Sequence, residues 1–506
     1  MIESSDFLPL ATTQSVGTLA RGAFDRCDHF LLVVAKNSRS QALGKLPQGK
    51  QLTSLMARAR KRGDDFAHSR ATNARSTGLT VASFSSTTAF TALTWAGKTL
   101  RECLRDKPST LGIAFVGLDA ATEQRAADSL AAAAHAAAFA LPEFKSPSGP
   151  TGARLKTLRL HVTHNRIDLA AARAQALGNN VARWFTALPP NVLTAAAYRE
   201  AIERLTAQRH IRCRFLGEKE LTKLGAGAFL AVARGNHTRD AGIMHLRYRP
   251  QRHSQAALAL VGKGVLFDTG GTNLKPFQGM LDMHTDMQGS AVALGSLLAL
   301  AELRVPYGID AWLAITENRT AANAYTSQDL VRAVNGTTIQ VIHTDAEGRM
   351  VLADTLALAA REQPQLIVDY ATLTGACVTA VTERYSGVFS NRAAANSLLV
   401  EAGVASGERV WPFPMDEDFD ELLKSDIADI KQCSPETAGD HILAARFLNR
   451  FVPKSIPWIH VDLSSGQHKG GLAHIPTEIT GFGVRLTIEL LQRGAGPADL
   501  AKRLPE

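Results

Sequence analysis

The sequence is poor in the features that mark secreted, membrane-spanning or nucleotide-binding chains. Only five of its 506 residues are cysteine (Cys27, Cys103, Cys213, Cys377 and Cys433), with no CxxC spacing and no Cys/His cluster. That argues against a disulfide framework and a cysteine-built zinc finger. The opening residues, MIESSDFLPLATTQ, have neither the basic start nor the apolar run of a secretion signal, so a cytoplasmic location is expected. The longest apolar stretch, Leu130 to Leu141, is alanine-rich, broken by His135 and too short to cross a bilayer, so no membrane association is expected. Internal repeats are absent, and so is the GxxxxGK[ST] spacing of a phosphate loop, although a GKG triplet occurs at 262–264.

What remains is ordinary globular material. Hydrophobic residues make up 45% and charged residues 20%, enough to build a core without covalent staples. The length exceeds what one core usually supports, so two domains are expected. The net charge of +9 is uneven: residues 1–150 hold 18 Lys/Arg against 12 Asp/Glu. The densest part is Arg58, Arg60, Lys61, Arg62, Arg70 and Arg75. No recognition motif accompanies these cations, so a solvated helix face or loop is the simpler reading than a nucleic-acid contact.

The runs 30–35, 79–84 and 111–118 read as strands separated by helical stretches, with a further helix over 120–140 and a strand at 155–162. This predicts a smaller N-terminal α/β domain, residues 1–164, with 142–152 (PEFKSPSGPTG) its most linker-like segment. A helical pattern over about 167–187 then leads into a larger domain, 165–506, and stops at Pro189-Pro190. There, strand candidates at 256–262, 309–315, 338–342, 365–370 and 458–463 alternate with helical stretches at 287–303, 350–362 and 440–452. The fold class is therefore α/β, with a mostly parallel central sheet flanked by helices. Ligands of such sheets sit beyond the carboxyl ends of the strands.

Two charged clusters fall at those ends. In VGKGVLFDTGGTNLKP (261–276), Lys263, Asp268 and Lys275 lie among glycines that permit tight turns. Asp286 follows at the start of an apolar helix, where a simple N-cap would explain it if it stood alone. In VIHTDAEGRMVLAD (341–354), Asp345, Glu347 and Arg349 are two apart, on one side if the stretch is extended. Four converging carboxylates (Asp268, Asp286, Asp345 and Glu347) repel one another unless cations neutralise them. Two divalent metals about 3.5–4 Å apart would do so, and ligation without cysteine suits Mn, Mg, Co or Zn. A metal-bound hydroxide can then serve as nucleophile, but its proton needs an acceptor. Arg349 stays protonated and cannot be that base, which leaves a carboxylate, a histidine or an anion held by Arg349.

VGKGVLFDTGGTNLKP, DMQGSA, HTDAEGRMVLAD and YATLTGACV resemble, in order and spacing, the leucyl (cytosol) aminopeptidases, peptidase family M17, over about Gly178 to Leu491. The resemblance implies a metallo-exopeptidase with two divalent ions, Mn²⁺ or Zn²⁺. Asp268 and Glu347 would bridge them, Asp345 would bind one, and Asp286 with a neutral Lys263 would complete the looser site. Lys275 would polarise the scissile carbonyl, and Arg349 would hold a bicarbonate that takes the nucleophile's proton. The substrate's free amino group would meet a metal and Asp286. Met283, Thr372, Leu373 and Gly375, the last two through the ATLTG backbone, would line the pocket for the first side chain. A homohexamer acting on peptides with a free N-terminus is implied.

The chain departs from the family pattern in four places. His343 stands where asparagine is usual, Gln288 replaces a glycine beside Asp286, AANAYTSQD (321–329) loses a Pro and a Gly, and DLSSG (462–466) puts Ser464 in the pocket wall. These changes put a preference for leucine in doubt. His343 either assists proton transfer or reaches a metal, or it simply bonds to backbone, the commoner role. The rival readings are a two-metal phosphoesterase, a nucleic-acid-binding protein using the basic N-terminal domain, and an idle scaffold. The intact set of seven charged residues opposes the last.

Overall fold

The computed structural model describes residues 4–20, 22–35, 41–44, 46, 48–146, 154–209, 211–250, 255–436, 438–493 and 496–505. Two compact units emerge: residues 4–176 with 470–477, and residues 177–469 with 478–506. The division runs through the helix Ala170–Thr186, the segment expected to lead into the larger domain. Residues 147–152 of the expected linker lie outside the described residues.

The N-terminal unit is built on a six-stranded sheet in the order Ala11–Val16, Thr157–Val162, Thr110–Val116, His29–Ala35, Gly78–Phe84, Phe66–Arg70. Only the last pairing is antiparallel. The runs FLLVVA, LTVASF and LGIAFV are strands buried along almost their whole length, as central strands covered on both faces must be. The basic segment forms the helix Gly49–Lys61 and the residues after it. Four of its six cations already have partners: Arg60 donates to Ser83, and Arg62, Arg70 and Arg75 pair with Asp64, Asp106 and Asp28.

The larger unit carries an eight-stranded sheet in the order Val410–Pro412, Ser386–Ser390, Trp458–Asp462, Leu366–Ala371, Leu258–Asp268, Ile309–Asn318, Gly242–Tyr248, Arg212–Gly217. The four strands from Trp458–Asp462 to Ile309–Asn318 are mutually parallel. Antiparallel pairings frame them on both sides. The run at 338–342 does not join this sheet: Thr338–Gln340 pairs in a separate small sheet with Leu330–Arg332 and Ile430–Lys431.

The strand Leu258–Asp268 is the axis of the unit. On one face Ala259 and Val261 share a core with the helix Glu347–Arg361. On the other, Gly262 lies against Gly289 and Ser290 of the helix Gln288–Glu302. Both helices are buried nearly all round, which explains why neither shows a polar stripe in sequence. Their N-terminal ends, with the carboxyl end of the strand, converge on one place. Among the described residues no helix is long and apolar enough to cross a membrane.

Candidate active site

A cavity of about 430 Å³ opens at that convergence. The five proposed metal ligands Lys263, Asp268, Asp286, Asp345 and Glu347 line it, together with Lys275 and the pocket residues Met283, Thr372, Leu373, Gly375 and Ser464. Arg349 is not among the lining residues.

Each side chain is held by its local fold. Lys263 projects from the strand Leu258–Asp268 and is 3% exposed, with Nζ 2.7 Å from Asp286 Oδ1, 2.9 Å from Glu347 Oε1 and 3.0 Å from the Thr372 carbonyl. At the end of that strand, Asp268 accepts hydrogen bonds from the Gly270 amide and from Asn318 Nδ2, both at 2.8 Å. Gly270 and Gly271 have φ of +86° and +66°, so the chain turns sharply there and brings Lys275 back to 2.9 Å from Asp268 Oδ2 and into an ion pair with Asp345. Asp286 is not a helix cap: the helix Gln288–Glu302 starts after Met287 with no side-chain cap. Asp286 Oδ1 instead accepts Lys263 and the Thr372 hydroxyl at 2.7 Å each.

The stretch 341–349 is not extended, contrary to the single-face expectation. Asp345 lies in a turn, while Glu347 and Arg349 sit in the first turn of the helix Glu347–Arg361. Two residues on a helix are about 200° apart, so the two diverge. Glu347 enters the cavity, whereas Arg349 Nη2 lies 2.8 Å from both carboxylate oxygens of Asp440 and Nη1 donates to the Gln432 carbonyl at 3.3 Å. Buried Gln432 also holds the turn, accepting from the Ile342 and His343 amides and donating to the Ala346 carbonyl. His343 is exposed, and its Nδ1 accepts the Asp345 amide at 3.3 Å, the backbone role weighed above.

Electrostatics then argue for cations. The cluster sets four carboxylates against two ammonium groups in a largely buried space. Burial pushes the Asp286 carboxyl up to about 8 against the pull of Lys263. Burial and Asp268 push Glu347 to about 7 and Asp345 to about 6. Burial acts to lower Lys263, but Asp286, Glu347 and Asp268 outweigh it and hold the ammonium above its ordinary value. Asp286 Oδ2 and Glu347 Oε2 are buried with no hydrogen-bond partner, a state that costs free energy unless something positive fills it. Carboxylate oxygens of Asp268, Asp286 and Glu347 lie within 4.8 Å of one another. This donor set fits divalent metal.

The sequence profile of the cytosol aminopeptidase family, catalytic domain, matches residues 180–488. The chain belongs to that family. Probable cytosol aminopeptidases of Syntrophotalea carbinolica and Geobacter sulfurreducens are each 41% identical to it, over 65% and 62% of this chain. The chain spans 66% and 62% of the length of those two curated relatives. A tomato leucine aminopeptidase mutant superimposes with a TM-score of 0.81 at 26% identity, covering 96% of this chain and 97% of the other. The bottromycin maturation enzyme BotP in complex with Mn does so with a TM-score of 0.77 at 28% identity, covering 92% and 99%.

Family membership leaves several cavity residues that the sequence reading did not single out. Buried Asp462 accepts the Leu373 and Thr374 amides and the Thr374 hydroxyl, and so holds the TLTG turn in place. It ends the strand Trp458–Asp462, and the strand-end rule was a signal that could have found it. Asp282, Val378, Glu383 and Gln467 also line the cavity. They come from short turns and a seven-residue helix with no periodic signature.

Proposed function

We propose that this chain is a metal-dependent aminopeptidase that removes the N-terminal residue from peptides. The observation that carries the reading is the group of buried Asp268, Asp286 and Glu347 and half-buried Asp345 with Lys263 and Lys275 in one cavity of a family member. Lys263, Asp268, Asp286, Asp345 and Glu347 would hold two divalent ions, Mn²⁺ or Zn²⁺. Bound there, the cations would supply Lewis acidity and an activated water, and a bicarbonate on Arg349 would supply the proton acceptor.

The chain's own groups do the rest. Lys275, half-buried and kept charged by Asp268, Glu347 and Asp345, donates to the scissile carbonyl as negative charge develops on its oxygen. Asp286 Oδ2, lacking a partner, accepts from the substrate's amino group, so a blocked N-terminus is refused. Glu347 and Asp268, fixed by the helix start and by Asn318, keep the metal-binding oxygens preorganised. Met283, Thr372, Leu373, Gly375 and Ser464 receive the first side chain. The assembly is a homohexamer and its place is the cytoplasm.

The test uses metal-depleted protein with leucine p-nitroanilide and its N-acetylated form, with and without Mn²⁺. Metal-dependent cleavage of the free-amine substrate alone is the expected result. Cleavage of a phosphodiester but of no aminoacyl amide would overturn it in favour of a two-metal phosphoesterase.

A further inference from the structure

The hydrogen-bond inventory of the cavity wall is unbalanced. Three of its hydroxyl donors are spent: Thr285 on the Asp282 carbonyl at 2.8 Å, Thr372 on Asp286 at 2.7 Å and Thr374 on Asp462 at 2.7 Å. Both lysines are committed to the carboxylate cluster. The Ser464 hydroxyl is buried with no hydrogen-bond partner.

Apart from that hydroxyl, what is left over accepts rather than donates. Gln288 is 1% exposed, and its Nε2 donates to the Gly466 carbonyl at 3.0 Å. That carbonyl can only accept, which fixes the amide's orientation. Gln288 Oε1 is then a buried acceptor with no partner. At the rim stand two exposed carboxylates, Asp282 beside Met283 and Glu383 just past the helix Gly375–Val381. Neither has an ion-pair partner among the described residues. Met283, Leu373 and Val378 give the same cavity apolar surface.

We infer that the first-residue pocket is built for a long cationic side chain, so that peptides beginning with arginine or lysine are its preferred substrates. The methylene stem lies along Met283, Leu373 and Val378, while the charged head reaches Asp282 and Glu383, as amphipathic cations do at the edge of apolar surfaces. Arginine suits it best, because its guanidinium brings five donors to a site rich in acceptors. The inference rests on the aminopeptidase reading for the identity of the pocket, but it can be tested without turnover.

Calorimetric titration of the Mn²⁺-loaded protein with L-arginine and with L-citrulline isolates the charge, since citrulline keeps the length and replaces guanidinium by urea. Arginine is expected to bind roughly twofold to fivefold more tightly, the range for partly exposed ion pairs, and the ratio should shrink as salt rises. In the double variant Asp282→Asn, Glu383→Gln the ratio should approach one. It is read within each protein, so general losses of affinity cancel. Equal affinity in the unaltered protein, or a ratio untouched by the double substitution, overturns the inference. Cleavage of the corresponding arginyl and citrullyl coumarylamides tests the peptidase reading separately. Retained arginine preference without any cleavage would support the pocket and sink the peptidase.

Discussion

Gly348 stands so close to Lys263 that a methyl group on it would lie 2.7 Å from the lysine Cε and 2.8 Å from Nζ. The helix Glu347–Arg361 therefore begins directly over the lysine of the central strand, and Glu347 reaches its ammonium. Lys263 is pinned by Asp286, Glu347 and the Thr372 carbonyl and has little room to yield. Gly348→Ala should displace it and weaken metal binding and activity, at a stability cost of about 1–3 kcal/mol, as for other overpacked sites. Metal affinity measured by calorimetry checks this, and unchanged affinity would show that Lys263 is not a ligand.

Lys275 is proposed to act in the transition state. Lys275→Ala should lower kcat by roughly 10²- to 10³-fold, the effect of losing one oxyanion donor, with a smaller change in KM. Steady-state kinetics on leucine p-nitroanilide separate the two constants. A rise in KM alone would make Lys275 a ground-state contact.

Arg349 has a rival for any bicarbonate, because Asp440 already occupies its Nη2. Asp440→Asn removes that competing charge. In bicarbonate-free buffer the variant should be slower, and added bicarbonate should restore it by roughly a hundredfold, the low end of what a general base supplies. The unaltered protein should respond less. Identical responses would mean that the carboxylate and the anion do not share the arginine.

Acid should weaken the N-terminal unit through two histidines. Burial lowers His29 and His135 to about 4 each. Both folded values lie below the unfolded value near 6.5, so the unfolded chain binds protons first as pH falls. Their stabilising contribution is complete above about pH 6.5 and is lost progressively down to pH 4. At pH 5 the loss is on the order of 2 kcal/mol per histidine. Denaturant melts at pH 7 and pH 5 should differ accordingly, and His135→Gln should flatten the slope. A pH-independent midpoint would contradict the assignment.

The sequence alone determined the class of the fold and named most of the charged residues that line the cavity. Long apolar runs alternating with helical stretches can bury themselves only in an α/β sheet covered on both faces. Four carboxylates against two lysines call for further cations once folding brings them together. Strands with mixed burial, such as Arg212–Gly217, were harder to see, since exposed residues interrupt their pattern. Tertiary structure decided what local spacing cannot specify. The helix at Glu347 turned Arg349 away from the cluster and onto Asp440, ninety-one positions later. Asp286 became a partner of Lys263 and not a helix cap, because the lysine comes from another strand. Asp282, Gln288, Glu383 and Asp462 came together only through folding, because a cavity wall is drawn from segments far apart in the chain. Which donors are spent and which acceptors remain is therefore a property of the packed structure alone.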